Sequence, residues 1–128
     1  MTFQCRQPTV PLRILLVEDS ETVRVLTAEY LRSRGFDVVD VESAEEAIAA
    51  LDVHRFDVLF TDVSLPGMSG ADLVKSSRLA HPGLGFVISS GFDHHPAIDG
   101  APPVEFLAKP YDFGALDRAI ERAATEPS

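Results

Sequence analysis

The sequence predicts an α/β fold in which helices cover both faces of a parallel, five-stranded sheet. Five short aliphatic runs alternate along the chain with segments whose apolar residues recur every three to four positions. The aliphatic runs are continuous, as is typical of strands buried on both faces of a parallel sheet. With 128 residues, 45% of them hydrophobic, the chain is also long enough for one domain with its own core.

The first strand and the first helix follow this pattern clearly. "RILLV" (13–17) is predicted to be a buried strand because it is short, aliphatic and uninterrupted. Ser20 is a suitable N-cap for a helix over 21–33, and Gly35 is expected to end it. The helix carries one apolar stripe at helical spacing, formed by Val23, Leu26, Tyr30 and Leu31.

The next three elements repeat the alternation. "FDVVDV" (36–41) is predicted to be the second strand. Ser43 then opens the second helix, "AEEAIAAL", in which Glu46 lies at the capping-box spacing from the serine. "FDVLFTD" (56–62) is predicted to be the third strand, and "SLPGMSG" (64–70) is predicted to be a loop because of its proline and glycines.

The remaining elements are separated by glycine and proline. They are a helix over 71–80, strands over 85–90 and 104–108, and a helix from the N-cap Asp112 to about Ala124. Between the last two strands, the segment 91–103 contains two glycines and three prolines. Such a composition does not favour a full helix, and we expect at most one helical turn there.

Composition limits the class of function. A net charge of −9 argues against binding to nucleic acid, which requires a basic surface for the phosphates. Cys5 is the only cysteine, so a reducing compartment is expected. We find neither a secretory signal nor 18 consecutive apolar residues, so we expect no membrane insertion and a cytoplasmic location. The expected organisation is a tail over 1–11, one domain over 12–124 and a tail over 125–128.

Polar side chains follow the carboxyl ends of four predicted strands. They are Glu18 and Asp19 after the first strand, Asp62 at the end of the third, Ser89 and Ser90 at the end of the fourth, and Lys109 after the fifth. If the strand order is 2-1-3-4-5, the three acids converge where the strand order reverses. Three carboxylates so close together need a counter-charge, which a divalent cation such as Mg²⁺ supplies.

This combination of residues indicates phosphoryl chemistry. A metal ion and the Lys109 ammonium group would neutralise phosphoryl oxygens while a carboxylate attacks the phosphorus. We predict Asp62 as the nucleophile because it ends the middle strand alone and faces the loop 63–70. Glu18 and Asp19 are adjacent in sequence and are better placed to hold metal and water together.

Four motifs lie at the strand ends in a fixed order: "LLVEDS", "DVLFTDVSLPGMSG", "VISSG" and "FLAKPYD". With these motifs, residues 12–124 resemble the response-regulator receiver domains of bacterial two-component systems. The resemblance implies a flavodoxin-like, doubly wound five-stranded parallel sheet with strand order 2-1-3-4-5. It also implies a signalling switch rather than an enzyme, since such a domain catalyses only its own phosphorylation and dephosphorylation.

The resemblance assigns a role to each site residue. Asp62 would be the phosphoacceptor and would take its phosphoryl group from a histidine kinase or a histidine phosphotransfer protein. Lys109 would contact the phosphoryl oxygens, and the peptide bond between Lys109 and Pro110 is expected to be cis. Mg²⁺, or Mn²⁺ in its place, would be bound by Asp19, Asp62, the backbone carbonyl of Ser64 and, through water, Glu18.

The resemblance also implies a conformational switch. The Ser90 hydroxyl would move toward the phosphoryl group, and Phe106 would turn into the space it leaves. A downstream protein would then bind the altered surface near the fourth and fifth strands. Two features depart from the family: Phe106 lacks the hydroxyl of the commoner tyrosine, and in 91–103 the fourth helix is expected to be short or missing. We also hypothesise that Phe92 shields the aspartyl phosphate from water.

Three alternative interpretations have less support in the sequence. A pseudo-receiver would be an interaction module that phosphate does not regulate, and the intact acids, hydroxyl and lysine argue against it. An aspartyl phosphatase would need a second aspartate two residues after the nucleophile, where this chain has Ser64. His94 and His95 could suggest a further metal site, but no other ligands lie at suitable spacing.

Overall fold

The computed structural model describes residues 11–91 and 104–124 and contains one parallel sheet with helices on both faces. The strands are β1 (Arg13–Val17), β2 (Asp37–Val41), β3 (Val58–Asp62), β4 (Gly85–Ser90) and β5 (Val104–Ala108). Their order is β2-β1-β3-β4-β5, and every neighbouring pair is parallel. The predicted fold class and strand order are therefore confirmed.

Side-chain caps determine where the helices begin. The helices are α1 (Glu21–Ser33), α2 (Ala44–Val53), α3 (Gly70–Ala80) and α4 (Phe113–Ala124). The hydroxyls of Ser20 and Ser43 accept hydrogen bonds from backbone N–H groups of the first turns of α1 and α2, as predicted. A carboxylate oxygen of Asp112 does the same for α4, at 2.7 Å from the N–H of Ala115. Gly35, with φ of 94°, follows the end of α1.

Two strands begin later than the sequence predicts. β2 starts at Asp37 and β3 at Val58, whereas the predictions began at Phe36 and Phe56. Both phenylalanines contribute to the core, so their apolar character extended the predicted strands. Just before β3, the backbone of Asp57 still bonds to Arg13 and Gly85, and its carboxylate also accepts the Arg13 backbone N–H at 2.8 Å.

The core consists of two layers, one on each face of the sheet. Alternate residues of a strand point to opposite faces, so Ile14 and Leu16 pack on one side with α1 and α4, and Leu15 and Val17 pack on the other with α2 and α3. All four side chains are essentially inaccessible to solvent. Burial on both faces leaves the two ends of the strands as the places where polar groups can collect.

Several predictions fall on residues that the structure does not describe. The short or missing fourth helix, the shielding role of Phe92 and the status of His94 and His95 all lie within 92–103, outside the described residues. The tails over 1–10 and 125–128 are likewise outside them. Within the described parts of the chain, no helix combines the length and the apolar character needed to cross a membrane.

Candidate functional site

The three predicted acids meet at the carboxyl edge of the sheet. β1 and β3 are neighbours, with Val17 paired to Thr61, so Glu18 and Asp62 are brought side by side as the two strands end. One carboxylate oxygen from each of Glu18, Asp19 and Asp62 lies within 4.8 Å of the others. Glu18 and Asp62 are buried, whereas Asp19 is exposed. The strand order therefore creates an acidic cluster at the switch point, as the sequence predicts.

Lys109 reaches this cluster from the end of β5. Its Nζ atom lies 2.5 Å from Oδ2 of Asp62, and its backbone N–H donates to the carbonyl of Ser90 at 2.7 Å. Burial lowers the pKa of Lys109, but the hydrogen bond to Asp62 and the charges of Asp62 and Glu18 outweigh this, and the net effect is a raised pKa. The lysine is therefore a permanent cation beside Asp62. The Lys109–Pro110 peptide bond is cis.

The second buried acid, Glu18, lies in an environment that disfavours its ionised form. Burial raises its pKa, and the charges of Asp62 and Asp19 raise it further, against the lowering effects of the Ser20 N–H and of Lys109. The Ser20 N–H donates to Oε2 of Glu18 at 3.0 Å. Three carboxylates thus share one lysine, and the imbalance of negative charge at this edge favours binding of a cation.

The loop after β3 contacts the other oxygen of Asp62. The backbone N–H of Ser64 donates to Oδ1 of Asp62 at 3.1 Å, while Lys109 binds Oδ2. Both oxygens of the carboxylate are therefore held in defined directions. The Ser64 N–H therefore lies beside the acidic cluster, while the predicted metal contact of the Ser64 carbonyl, which belongs to the next peptide unit, stays a prediction.

The sheet distinguishes Ser90 from Ser89. Ser90 lies two residues after Ile88 and thus on the same face, and Ile88 is paired with Phe106 in β5. Ser89 is paired with Asp62 and lies on the opposite face from Ser90. Both hydroxyl residues are buried. Ser90 therefore shares its face of the sheet with Phe106, the relationship that the predicted switch requires.

Gly70 is a site residue that the sequence did not identify. A Cβ atom at this position would lie 2.1 Å from the backbone oxygen of Asp62, a distance that no side chain can occupy. The Gly70 N–H also donates to the Val63 carbonyl at 3.0 Å. The start of α3 thus packs directly against the backbone of Asp62. The sequence predicts that Gly70 lies in the loop 64–70, whereas it is the first residue of α3.

A groove lies beside Lys109, between α1 and the start of α4. It has a volume of about 520 Å³ and is lined mainly by apolar atoms, including those of Val23, Leu26, Pro110 and Phe113. Val23 is 39% exposed and Leu26 is 57% exposed, so the predicted apolar stripe of α1 does not pack wholly into the core. The exposed part of the stripe lies in the first turns of α1, whereas the buried positions of this helix begin at Thr27 and Ala28.

Comparisons with known proteins agree with this geometry. A family model described as the response regulator receiver domain matches residues 14–121. The virulence sensor protein BvgS of Bordetella pertussis is 34% identical over 95% of this chain and 11% of its own length. The transcriptional regulatory protein PdtaR of Mycobacterium tuberculosis is 29% identical over 91% of this chain and 58% of its own length. The chain thus spans only part of these curated relatives.

A solved structure gives the same result for the fold. A CheY-like response regulator receiver domain from Methylobacillus flagellatus matches with a TM-score of 0.77 and 30% identity, covering 87% of this chain and 97% of that one. The flavodoxin-like architecture predicted from the sequence is therefore shared with a known receiver domain.

Proposed function

This chain belongs to the response regulator receiver domain family, and on that premise we propose that it is a phosphorylation-dependent signalling switch with Asp62 as its phosphoacceptor. The arrangement around Asp62 carries the proposal. Its buried carboxylate is held by Ser64 and Lys109 and lies beside two further acids. A carboxylate placed between a lysine and a cation-binding cluster is suited to attack phosphorus.

In the proposed reaction, a carboxylate oxygen of Asp62 attacks the phosphorus of a phosphohistidine on a donor protein. An O–P bond forms, the N–P bond breaks, and the imidazole leaves with the electron pair of the broken bond. Lys109 stays charged and would move from Oδ2 of Asp62 onto the phosphoryl oxygens. Water later hydrolyses the aspartyl phosphate to inorganic phosphate and the original carboxylate. The chain would thereby catalyse only its own phosphorylation and dephosphorylation.

The residues at the site fit Mg²⁺ or Mn²⁺. Carboxylate oxygens are the ligands these hard cations prefer, and the cluster has more negative than positive charge. When bound, the ion would neutralise the phosphoryl oxygens. Asp19 is exposed and would bind it directly, together with Asp62 and the carbonyl of Ser64. Glu18 is buried, and one of its oxygens accepts the Ser20 N–H, so we assign it a role through water.

The proposed switch couples Ser90 to Phe106. Both lie on one face of the sheet, two register positions apart across β4 and β5, since Phe106 is paired with Ile88 and Ser90 with Ala108. Movement of the Ser90 hydroxyl toward the phosphoryl group would let Phe106, which is only partly buried, turn inward. The surface near β4 and β5 would then change, and a downstream protein would bind one form in preference to the other.

The donor is proposed to be a histidine kinase or a histidine phosphotransfer protein. To bring its phosphohistidine to Asp62, the donor must cover the rim of the carboxyl edge. The apolar groove beside Lys109 lies on that rim and exposes Leu26 and Phe113. We therefore assign the groove to donor docking, since exposed apolar patches of this kind commonly mark protein interfaces. The proposed location is the cytoplasm, where the lone Cys5 would stay reduced.

The test is phosphorylation by a small donor. Wild-type protein incubated with Mg²⁺ and acetyl phosphate is expected to gain the mass of one phosphoryl group, measured on the intact chain. Asp62→Asn should gain none. Asp57→Asn, which changes an aspartate at the opposite end of β3, is the matched control and should be phosphorylated like the wild type.

Three results would overturn the proposal. Absence of an adduct on the wild type would favour the pseudo-receiver, and an equal adduct on Asp62→Asn would mean that another residue accepts phosphate. Release of phosphate from simple phosphate esters in large excess over the protein would instead indicate a phosphatase.

A further inference from the structure

Arg24 connects the acidic cluster to the neighbouring strand. It lies in α1, and its Nη1 atom donates to the backbone carbonyl of Glu18 at 3.1 Å. Its Nε atom lies 3.3 Å from Oδ2 of Asp40 in β2. The Arg24 side chain is only 16% exposed, compared with 49% for Arg32, which binds the same carboxylate. A guanidinium group buried to this extent needs partners for its N–H groups, and these two contacts supply them.

The carbonyl that Arg24 binds is the point where the chain leaves the sheet. The Glu18 N–H donates to the carbonyl of Val41 at 3.0 Å, so it still belongs to the β1–β2 pairing. The Glu18 carbonyl belongs to the next peptide plane, which leads directly to Asp19. Because a peptide unit is planar, a hydrogen bond to its carbonyl restricts the orientation of the whole unit and of the residue that follows. Arg24 therefore constrains the direction in which Asp19 leaves the strand.

Arg24 is itself held from the far side. The other oxygen of Asp40, Oδ1, accepts a hydrogen bond from Nη2 of Arg32 at 3.1 Å. That same Arg32 nitrogen donates to the carbonyl of Val38 at 2.9 Å. Asp40 is thus fixed between two arginines of α1, and the Arg24 guanidinium has a defined place between β1 and β2.

The charge of Arg24 and its contact with the Glu18 carbonyl predict opposite effects of its removal on Mg²⁺ binding. A positive charge close to the acidic cluster repels a divalent cation, so charge alone predicts that removal of Arg24 tightens Mg²⁺ binding. A role in orienting the Glu18–Asp19 peptide predicts the reverse, because the ligands would lose their arrangement. Residues that orient metal ligands typically change metal affinity by about 10- to 100-fold when they are replaced.

We propose that Arg24 is a positioning residue for the divalent cation. By holding the Glu18 carbonyl, it directs the Asp19 carboxylate toward Asp62, and Asp40 holds Arg24 in place for this task. The inference rests on the proposed function, since it concerns the metal site of the same acidic cluster. It adds a residue of α1 and a residue of β2 that touch neither metal nor phosphate.

The experiment is a titration of the full chain with Mg²⁺ alone, followed by amide chemical shifts in NMR spectra, which also report whether each variant is folded. Arg24→Ala is expected to raise the Kd for Mg²⁺ about tenfold. Arg34→Ala is the matched control, because it removes the same charge just after α1, where Arg34 pairs with Asp117 at 3.6 Å, and leaves the contacts of Arg24 and Asp40 in place. It should leave the Kd within about twofold of the wild type.

A second measurement separates metal binding from the chemical step. The rate of phosphorylation by acetyl phosphate should need about tenfold more Mg²⁺ for half its maximum in Arg24→Ala, yet reach the wild-type rate when Mg²⁺ saturates. If Arg24→Ala does not fold, Arg24→Lys serves instead, since lysine can keep one of the two contacts and should give an intermediate Kd.

Equal or tighter Mg²⁺ binding by Arg24→Ala, or equal changes in Arg24→Ala and Arg34→Ala, would overturn the inference while leaving the proposed function intact. A wild type that does not bind Mg²⁺ would overturn both.

Discussion

The two edges of the sheet carry opposite arrangements of charge. At the carboxyl edge, three carboxylates share Lys109, and two of the three are buried. At the amino edge, a cavity of about 440 Å³ is lined by residues 51–57 and 80–84. There Asp57 accepts the backbone N–H of Arg13 at 2.8 Å, and the Arg13 guanidinium pairs with Asp37 at 3.1 Å. At the amino edge, Asp37 and Asp57 each have a partner in Arg13, whereas the acids at the carboxyl edge outnumber their cation.

Both edges carry a cavity, about 520 Å³ beside Lys109 and about 440 Å³ at the amino edge, so the presence of a cavity does not distinguish them. The imbalance of charge does, and the proposed chemistry depends on it. A folded chain gains little from an exposed ion pair and loses stability when it buries like charges together. An arrangement such as that of Glu18 and Asp62 persists only if something other than stability requires it. The amino edge has no comparable conflict among its described acids, and its cavity by itself suggests no reaction.

Replacing the cation at each edge should give the largest contrast. Lys109→Ala removes the group expected to stabilise charge on the transferring phosphoryl group, and phosphorylation by acetyl phosphate should slow about a hundredfold. The same variant should bind Mg²⁺ more tightly, because a competing cation beside Asp62 is lost. Arg13→Ala, at the amino edge, should change neither quantity. The phosphoryl adduct followed by intact mass over time gives the rate, and a Mg²⁺ titration gives the affinity.

This prediction fails if Lys109→Ala is phosphorylated at the wild-type rate with saturating Mg²⁺. Weaker Mg²⁺ binding in Lys109→Ala would also contradict it, since that would mean that Lys109 supports the metal site rather than competing with it.

A methyl group added at the carboxyl edge should lower the free energy of unfolding, whereas one added at the amino edge should not. Gly70→Ala places a Cβ atom 2.1 Å from the backbone oxygen of Asp62, so α3 or β3 must shift. We expect a loss of about 2 kcal/mol in the free energy of unfolding. Gly83 borders the amino-edge cavity, and a Cβ there would meet nothing within 4 Å. Gly83→Ala should therefore be neutral or stabilise by about 0.5 kcal/mol.

Urea unfolding of both glycine variants provides the measurement, with equal slopes required for the comparison. Equal midpoints for Gly70→Ala and the wild type would show that the start of α3 can move away from Asp62 without cost.

The sequence predicted the fold and the charged centre of the site well, for a physical reason. Strand length, caps such as Ser20 and acids such as Asp62 are local properties of the chain, and a parallel sheet brings all strand ends of one kind to one edge. The close approach of Gly70 to Asp62 depends on how α3 packs, which no local pattern encodes. The exposure of Leu26 depends in the same way on where the neighbouring elements end.

The groove at the carboxyl edge should discriminate between donors. Leu26→Asp introduces a charge into the proposed docking surface, so transfer from a phosphorylated histidine phosphotransfer protein should slow about tenfold. Acetyl phosphate should still phosphorylate this variant at the wild-type rate, because a small donor needs no docking surface. Leu79 is 87% exposed, and its helix, α3, packs on the opposite face of the sheet from the groove, so Leu79→Asp is the matched control. A slowdown in both variants, or with both donors, would remove the groove from the docking surface.

The pH dependence of stability should show the smallest contrast. Burial among like charges raises the pKa of Glu18 above its ordinary value of 4.5. The native state of the metal-free protein therefore holds this proton more tightly than the unfolded state, and the stabilisation is lost as pH rises through the native pKa. Glu18→Gln removes this loss, so its advantage in unfolding free energy over the wild type should grow from about pH 4.5 upward and then level off. Glu29→Gln, an exposed control in α1, should show no such growth.

Because Mg²⁺ would neutralise the cluster, saturating metal should shrink the advantage of Glu18→Gln at high pH. An advantage that is constant with pH would mean that Glu18 is as easily ionised in the folded chain as in the unfolded one, and that the charge conflict at this edge is carried by Asp19 and Asp62 alone.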